Sequence, residues 1–304
     1  MSMEKHIKLL ISFQKNLRRT PIILGTILLT LMLNWSVSYA QEVNRPAVWG
    51  IAKMTYYVSD FSVAEAYYGD YLGFEQAFTY QSEAGEVLSF KVNDMQFLEF
   101  VEDGDPRSKD FLKSISFDCD DLDQMGSYLV SQGVEIKNKG TDGAGNEVLT
   151  IQSTEGYTIK YIHYQKDGLH LQSKGKFLGD QRISHRIHHA GLYVSDILKA
   201  DQLYRKILGF EEFWSYREKN SSFVKYVYLR IPDCVENIEY ALKRNGSHPC
   251  FLVDDMQTAI YELKNRRGKN ELGHPLIGKG DRWLMNMYNS DGARVEFTEA
   301  HTIR

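Results

Sequence analysis

The sequence predicts an α+β protein made of two tandem modules, and an internal duplication is the first observation behind this prediction. Segments of the first half recur 136 positions later in the second half. The recurring segments include Tyr57-Val58-Ser59-Asp60 with Tyr193-Val194-Ser195-Asp196, Leu72-Gly73-Phe74-Glu75 with Leu208-Gly209-Phe210-Glu211, and residues 155–160 with residues 291–296. A repeat at a fixed offset is the signature of a duplicated architecture. The second observation is that strand and helix patterns alternate in the same order in both halves.

Each module is predicted to contain two βαβββ units. The first unit begins with a strand at residues 53–60 or 189–196, which are apolar and rich in aromatic and β-branched residues. A helix is predicted next, at residues 61–72 or 197–208, where apolar residues recur at helical spacing before a Leu-Gly stop. Further strands of the first units are predicted at residues 87–92, 95–101, 223–230 and 237–242.

The second unit of each module begins with a strand at residues 114–120 or 248–254, beside an Asp-Asp pair. Aspartate in this place can cap the helix that is predicted next, at residues 122–132 or 256–265. The closing strands are predicted at residues 148–152, 158–164, 283–288 and 294–298. The modules are therefore expected to span residues 47–165 and 186–300, with the mostly polar residues 166–185 as a linker.

The first 40 residues have the features of a cleaved signal peptide. Basic residues such as Lys15, Arg18 and Arg19 precede an apolar run from residue 22 to residue 35, and small residues up to Ala40 follow it. The run is shorter than the roughly 20 apolar residues that span a bilayer. We therefore expect cleavage before Gln41 and export to the periplasm or the medium, without membrane association after cleavage.

The mature chain is expected to be acidic, because the first 40 residues hold five of the 36 basic residues and one of the 40 acidic residues. The remaining net charge of −8 argues against nucleic acid or an anionic membrane as a partner. The three cysteines, Cys119, Cys234 and Cys250, leave at least one without an intramolecular partner, and we assign them no chemistry. A small molecule is the expected partner of a monomer or homodimer.

Several motifs of the second half resemble the vicinal oxygen chelate superfamily, which includes glyoxalase I, bleomycin-resistance proteins and extradiol dioxygenases. The motifs are Tyr193-Val194-Ser195-Asp196 with Tyr204, Leu208-Gly209-Phe210, Asp291-Gly292 and Val295-Glu296. The resemblance covers both modules, which is almost the whole mature chain. It implies that the two βαβββ units of a module form a cupped mixed sheet, with a metal ion inside the cup.

Four residues of the second module are the candidate metal ligands: His189, Glu239, His248 and Glu296. Imidazole and carboxylate together suit Zn, Ni, Co, Mn or Fe(II). The resemblance implies a ligand five residues before the apolar residue that ends a unit's first strand, where His189 and His248 lie, and another in the last strand after Gly, where Glu296 lies. Glu239 is the weakest member, because it could equally act as a base or accept a hydrogen bond from an imidazole. Neighbouring His188 is expected to face the opposite side of the sheet.

The first module has Lys53, Glu99, Ser114 and Lys160 at the corresponding positions. Two ammonium groups in one cup would repel a divalent cation, so the first cup is not expected to hold metal. An internal ion-pair network of Lys53, Glu99 and Lys160 is the favoured interpretation, and an anion-binding pocket is the alternative.

The resemblance and the ligand set together indicate a metal-dependent enzyme. A glyoxalase-like isomerase or lyase acting on a small oxygen-chelating substrate is the leading hypothesis, with Glu239 and Glu296 as candidate catalytic residues. The first alternative is an extradiol ring-cleaving dioxygenase whose Fe(II) is held by His189, His248 and Glu296. The second alternative is a non-catalytic small-molecule binding protein, because fold does not decide function.

The loop at residues 272–282 is a candidate cover of the second cup. Its residues His274, Lys279 and Arg282 are candidate substrate-binding residues, and the two basic ones favour an acidic substrate. Asn286 is a further candidate, because it occupies the position at which the resemblance to dioxygenases would require a tyrosine.

Overall fold

The computed structural model describes residues 43–220, 224–244, 246–266 and 272–303. The predicted signal segment lies outside these residues. Within the described part of the chain, helices long and apolar enough to cross a membrane are absent.

Eight strands form the sheet of the first module, in the order β2-β3-β4-β1-β5-β8-β7-β6. Their bounds are β1 Gly50–Val58, β2 Glu75–Ser82, β3 Gly85–Lys91, β4 Phe97–Glu102, β5 Leu112–Asp118, β6 Asn138–Thr141, β7 Glu147–Gln152 and β8 Thr158–His163. At the centre β1 runs parallel to β4 and antiparallel to β5. This mixed, curled sheet is the cup of the first module.

The second module repeats this arrangement, in the order β10-β11-β12-β9-β13-β16-β15-β14. The bounds are β9 Ile187–Tyr193, β10 Glu211–Arg217, β11 Val224–Arg230, β12 Asn237–Ala241, β13 His248–Val253, β14 Leu276–Ile277, β15 Trp283–Tyr288 and β16 Arg294–Glu299. The predicted fold class, two tandem modules of α+β type with cupped mixed sheets, is confirmed. Strands β2, β6, β10 and β14 were not predicted individually, because they lie at sheet edges and expose many of their side chains.

An aspartate that recurs in both halves of the repeat caps the first helix of each module. Asp60 accepts a hydrogen bond from the Ser62 amide at the start of α1 (Phe61–Ala64), which continues as a π-helix over Glu65–Tyr71. The second module has helix α4 (Ile197–Ala200) and the same π-helical continuation over Asp201–Ile207. The sequence predicted a continuous α-helix here, since apolar spacing does not reveal the wider turn of a π-helix.

The described residues contain three further α-helices, α2 (Leu122–Ser131), α3 (Leu169–Gln172) and α5 (Met256–Asn265), and a short 3₁₀ helix at Pro106–Ser108. Asp121 and Asp255 cap α2 and α5 through their side chains, as the Asp-Asp pairs predicted. Helix α3 lies in the segment that joins the modules.

One cluster of buried apolar side chains runs through both modules. Phe74 and Phe251 contact across the module boundary with ring centroids 4.9 Å apart, and the Tyr157 and Tyr204 hydroxyls are 2.7 Å apart. Because side chains alternate along a strand, the opposite face of each sheet is left to line its cup. In β12, for example, Ile238 lies in the core, whereas Glu239 lines the cup.

Candidate metal centre

The four candidate ligands of the second module lie on four adjacent central strands. Glu239 is on β12, His189 on β9, His248 on β13 and Glu296 on β16, and these strands are neighbours in that order. Their relative exposures are 7%, 3%, 2% and 4%, so all four are buried. The structure therefore brings the sequence-predicted ligand set together on the concave face of one sheet.

The donor atoms of these residues converge. His189 Nε2 is 3.5 Å from Glu239 Oε2 and 3.6 Å from Glu296 Oε1, and His248 Nε2 is 3.9 Å and 3.8 Å from the same two carboxylates. Ligands that each stand about 2.1 Å from a cation are about 3 to 4 Å from one another. Within the described residues, His189 Nε2, His248 Nε2 and Glu239 Oε2 are buried without a hydrogen-bond partner. Such atoms are costly unless something satisfies them, so the residues present fit a divalent metal ion.

The tautomer of His248 also fits metal binding. Its Nδ1 is 2.6 Å from the Gly246 carbonyl oxygen, and a carbonyl oxygen only accepts, so Nδ1 carries the proton. Burial, with the charge of Arg294, holds the pKa of His248 well below its ordinary value. The imidazole is therefore neutral and presents the lone pair of Nε2 to the cluster, as in metal sites whose ligands are oriented by a backbone carbonyl.

Gly191 makes room for the His248 ring. A Cβ atom at this position would lie 1.9 Å from the ring carbon Cε1, which is closer than any real contact. The first module has Thr55 at the equivalent position, 136 residues earlier. The sequence pattern did not single out Gly191, although the difference between the repeats was a usable signal.

The two carboxylates of the cluster have different surroundings. Glu296 is hydrogen-bonded by Arg294, which also donates to Asn286 Oδ1 at 2.6 Å. One carboxylate oxygen of Glu239, Oε2, faces the cluster and has no hydrogen-bond partner among the described residues. Burial raises the pKa of Glu239, but His189 and Arg294 outweigh it and hold the pKa below the ordinary value, so Glu239 is ionised. Beside it, burial and Glu239 raise the pKa of Tyr228 well above its ordinary value.

Cys250, to which the sequence assigned no chemistry, is also part of the cluster. It lies with His189 and Glu296 in a second possible ligand group, whose donor atoms are within 4.8 Å of one another. Burial and the neighbouring Glu296 raise the pKa of the Cys250 thiol well above its ordinary value. The protonated thiol is a poorer ligand than the carboxylates and imidazoles around it. All three cysteines are free.

The expectation that His188 faces away from the cup was wrong. Cys250 pairs with His189 and Phe251 with Ile187, so His188 is an extra residue in a β-bulge. A bulge breaks the alternation of side chains, and His188 therefore lines the same cavity as His189. Its Nε2 lies 3.2 Å from the Arg282 guanidinium, which only donates, so this nitrogen accepts.

The cluster opens into a cavity of about 610 Å³. Aromatic side chains form part of its wall: Phe213, Trp214, Tyr226 and Tyr228. The candidate substrate-binding residues Lys279, Arg282 and Asn286 line it as well. His274, although it lies in the described part of the chain, is exposed and does not line this cavity.

The first cup contains its own cation in place of a metal. Lys53 Nζ lies 3.2 Å from Glu99 Oε1 and 3.2 Å from Asp142 Oδ2, which confirms an internal ion pair between Lys53 and Glu99. Among the described residues Lys160 has no ion pair, and burial together with Lys53 lowers its pKa. Ser114 Oγ is buried without a hydrogen-bond partner in the described structure.

A histidine from the linker closes the first cup. His170 of α3 is fully buried, donates from Nε2 to Glu99 at 3.1 Å and accepts at Nδ1 from Asn146 at 2.8 Å. Its ring stacks on Tyr164, with centroids 4.9 Å apart. Because Lys53, Glu99 and His170 are buried and bind one another, the contacts favour the ion-pair network over an anion pocket. The linker composition gave no sign of this role.

Comparison with known protein families gives a match for the first module. Residues 50–161 match the family model described as Glyoxalase/Bleomycin resistance protein/Dioxygenase superfamily. The chain therefore contains a domain of the vicinal oxygen chelate superfamily, and its second module repeats that fold. None of the curated proteins matches the chain.

Solved structures share this fold at low sequence identity. The 2,3-dioxygenase LapB from Pseudomonas sp. KL28 is 13% identical with a TM-score of 0.66, over 84% of this chain and 94% of that one. The Mn(II)-bound glyoxalase from Novosphingobium aromaticivorans is 17% identical with a TM-score of 0.63, over 83% and 82% of the two chains. Homoprotocatechuate 2,3-dioxygenase from Brevibacterium fuscum is 13% identical with a TM-score of 0.60, over 84% and 82%. Proteins named as dioxygenases and a protein named as a glyoxalase thus share this fold.

Proposed function

We propose that the chain is a metal-dependent enzyme that moves a proton on the carbon next to a substrate carbonyl, as a glyoxalase-like isomerase or lyase. The observation that carries the proposal is the convergence, among the described residues, of two imidazole nitrogens and one carboxylate oxygen that are buried without a hydrogen-bond partner. A Mn(II)-bound glyoxalase among the structural neighbours supports the same class. The metal identity stays open among Zn, Ni, Co, Mn and Fe(II).

The two glutamates receive different roles in this proposal. A bound divalent cation would act as a Lewis acid on a substrate with two adjacent oxygens. Glu296 is fixed by Arg294 and serves to anchor the site. Glu239 has a free oxygen that faces the cavity, so it accepts the proton from the carbon beside the carbonyl and returns it to the substrate. Tyr228, protonated and adjacent to Glu239, orients this carboxylate.

The proposal is tested by proton exchange in deuterated water. The probe is 2-hydroxyacetophenone, which has two adjacent oxygens and exchangeable hydrogens next to its carbonyl, and the exchange is followed by proton NMR. Glu239→Gln should slow the catalysed exchange by about 10²- to 10⁴-fold while the bound metal is retained, because a general base contributes about this much. The exposed Glu83→Gln is the matched control and should exchange like the wild type. Exchange that is unaffected by Glu239→Gln would contradict the role of Glu239.

An extradiol dioxygenase is the second candidate. The aromatic wall of the second cup suits a ring-shaped substrate, and two structural neighbours are 2,3-dioxygenases. The candidate is weaker, because Asn286 stands where that activity would need a tyrosine and is engaged by Arg294. Oxygen consumption by the Fe(II)-loaded protein with catechol would favour this candidate over the isomerase.

We also propose that the protein is exported. The support is the basic, apolar and small-residue pattern of residues 1–40. Mass spectrometry of the protein purified from cells should give a chain that begins at Gln41. A chain that retains residues 1–40 would contradict this proposal.

A further inference from the structure

The charges around the second cavity are distributed unevenly. Lys243, Lys279, Arg282 and Arg294 line it, against two carboxylates, Glu239 and Glu296. The two carboxylates belong to the donor cluster, and Arg294 is bound to one of them. Three cations therefore remain at the cavity wall of a protein whose overall charge is negative. Such a wall raises the local concentration of an anionic ligand.

These three cations form no ion pair in the part of the chain that the structure describes, although the charge of Lys279 contributes to lowering the pKa of Glu218. Ion pairs are present elsewhere on the same module, for example between Lys225 and Glu218, but none involves Lys243, Lys279 or Arg282 among the described residues. Lys279 instead lies 5.2 Å from the centre of the Tyr216 ring. Cationic side chains that form no ion pair are available to bind an anionic ligand.

Arg282 is the best oriented of the three. Its guanidinium is partly buried and donates to His188 Nε2, which fixes one edge of the group. A guanidinium has five N–H donors, and its planar fork matches a carboxylate. The β-bulge at His188 thus adds a third imidazole to the cavity, beside those of His189 and His248, and this one supports Arg282 and is not a candidate metal ligand.

The remaining surface of the cavity is apolar and aromatic. The rings of Trp214 and Tyr228 are 5.2 Å apart in an edge-to-face arrangement. At the mouth, Phe213, Leu276 and Ile277 are 45%, 47% and 42% exposed although they are large and apolar. A cavity of about 610 Å³ with such a wall suits a ligand with a planar apolar body.

We infer that the second cup takes an aromatic acid, whose ring lies against Trp214 and Tyr228 and whose acidic group is held by Arg282. The inference names the substrate class of the proposed enzyme, and in that sense it rests on the proposed function. His188 is a positioning residue in this account, because it orients Arg282 and does not contact the ligand.

Binding of an acid and its neutral amide tests the inference. The probes are 2-naphthoate and 2-naphthamide, which share the ring system and differ in charge, and isothermal titration calorimetry gives both dissociation constants. The wild-type protein should bind naphthoate at least about tenfold more tightly than naphthamide, which corresponds to about 1.4 kcal/mol. Arg282→Gln should remove most of this preference and leave naphthamide binding unchanged. Trp214→Ala should weaken the binding of both compounds.

The controls separate the acid site from the metal site. Lys199→Gln, an exposed lysine away from the cavity, should keep the wild-type preference. His188→Ala should lower the preference, and it should keep its metal if His188 acts through Arg282 alone. Equal binding of acid and amide by the wild type, or an undiminished preference in a folded Arg282→Gln, would overturn the inference. If the preference is present in a protein that binds no metal, the proposed enzyme fails and the inference stands.

Discussion

Replacing Glu99 by Gln tests whether an internal cation holds the first cup together. Glu99 accepts hydrogen bonds from Lys53 at 3.2 Å, Thr55 at 3.3 Å, Tyr80 at 2.9 Å and His170 at 3.1 Å. The side chains of Lys53 and Glu99 are only 3% and 1% exposed. The substitution keeps the shape of the side chain but removes its charge. It also replaces one carboxylate oxygen with an amide NH2 group, a hydrogen-bond donor that would face the donors of the surrounding residues.

The magnitude follows from the burial of the pair. Breaking a buried ion pair from one side costs about 3 to 5 kcal/mol, and we expect the lower value, about 3 kcal/mol, because Asp142 still neutralises Lys53. For a folded unit of this size, 1 kcal/mol corresponds to about 2 to 4 °C in Tm, so the transition should fall by about 6 to 12 °C. Calorimetry of the purified protein at pH 7 measures this directly.

An exposed pair provides the matched control. Lys137 and Glu135 are 2.6 Å apart, but their side chains are 44% and 74% exposed, so Glu135→Gln should cost at most about 1 kcal/mol.

Burial raises the pKa of Glu99, but Lys53 and His170 outweigh it and hold the pKa well below its ordinary value. The contribution of the Glu99 charge is therefore present at neutral pH and lost only as the pH falls through this lowered pKa. The difference between wild type and Glu99→Gln should be the same at pH 7 and pH 5. A fall in Tm no larger than that of the control would refute the network.

Three further predictions concern single positions. Gly191→Ala should abolish metal binding with little loss of secondary structure, because the new methyl group displaces the His248 ring. The control is Gly104→Ala, whose methyl group enters open space. Its metal content, measured by spectrometry, should equal that of the wild type. Burial raises the pKa of Asp118 to about 6, so its ionisation opposes folding as the pH rises from about 4 to 6. In urea unfolding, Asp118→Asn should therefore stabilise the protein at pH 7.5 and change its stability little at pH 4. Equal effects at the two pH values would contradict the raised pKa. Asp60→Ala removes a helix cap and should lower the midpoint of the same urea transition, and an unchanged midpoint would count against the cap.

The duplication made most of the fold predictable from the sequence. The apolar strands at the sheet centres, such as β1 and β9, have a clear pattern, and the aspartates that cap the helices recur at the expected places. The edge strands escaped prediction because their side chains are largely exposed. The π-helical turns escaped because apolar spacing does not distinguish them from α-helix.

The candidate site was predictable where it follows strand register. His189, Glu239, His248 and Glu296 converge because regular alternation sends them to one face. His188 could not be placed, since a bulge inverts the alternation locally. His170 could not be found either, because only the three-dimensional path of the linker brings it to Glu99. Arg282 was suggested by its charge alone, and its contact with His188 required the structure.

The metal content of the purified protein tests the central claim most directly. After incubation with Zn, Ni, Co, Mn or Fe(II) and removal of the excess, the wild type should retain a divalent ion in an equimolar amount. His248→Ala should lose the ion, whereas His274→Ala, which removes an exposed imidazole outside the cavity, should retain it. A wild-type protein that retains no ion, or a His248→Ala variant that retains as much as the wild type, would contradict the metal centre.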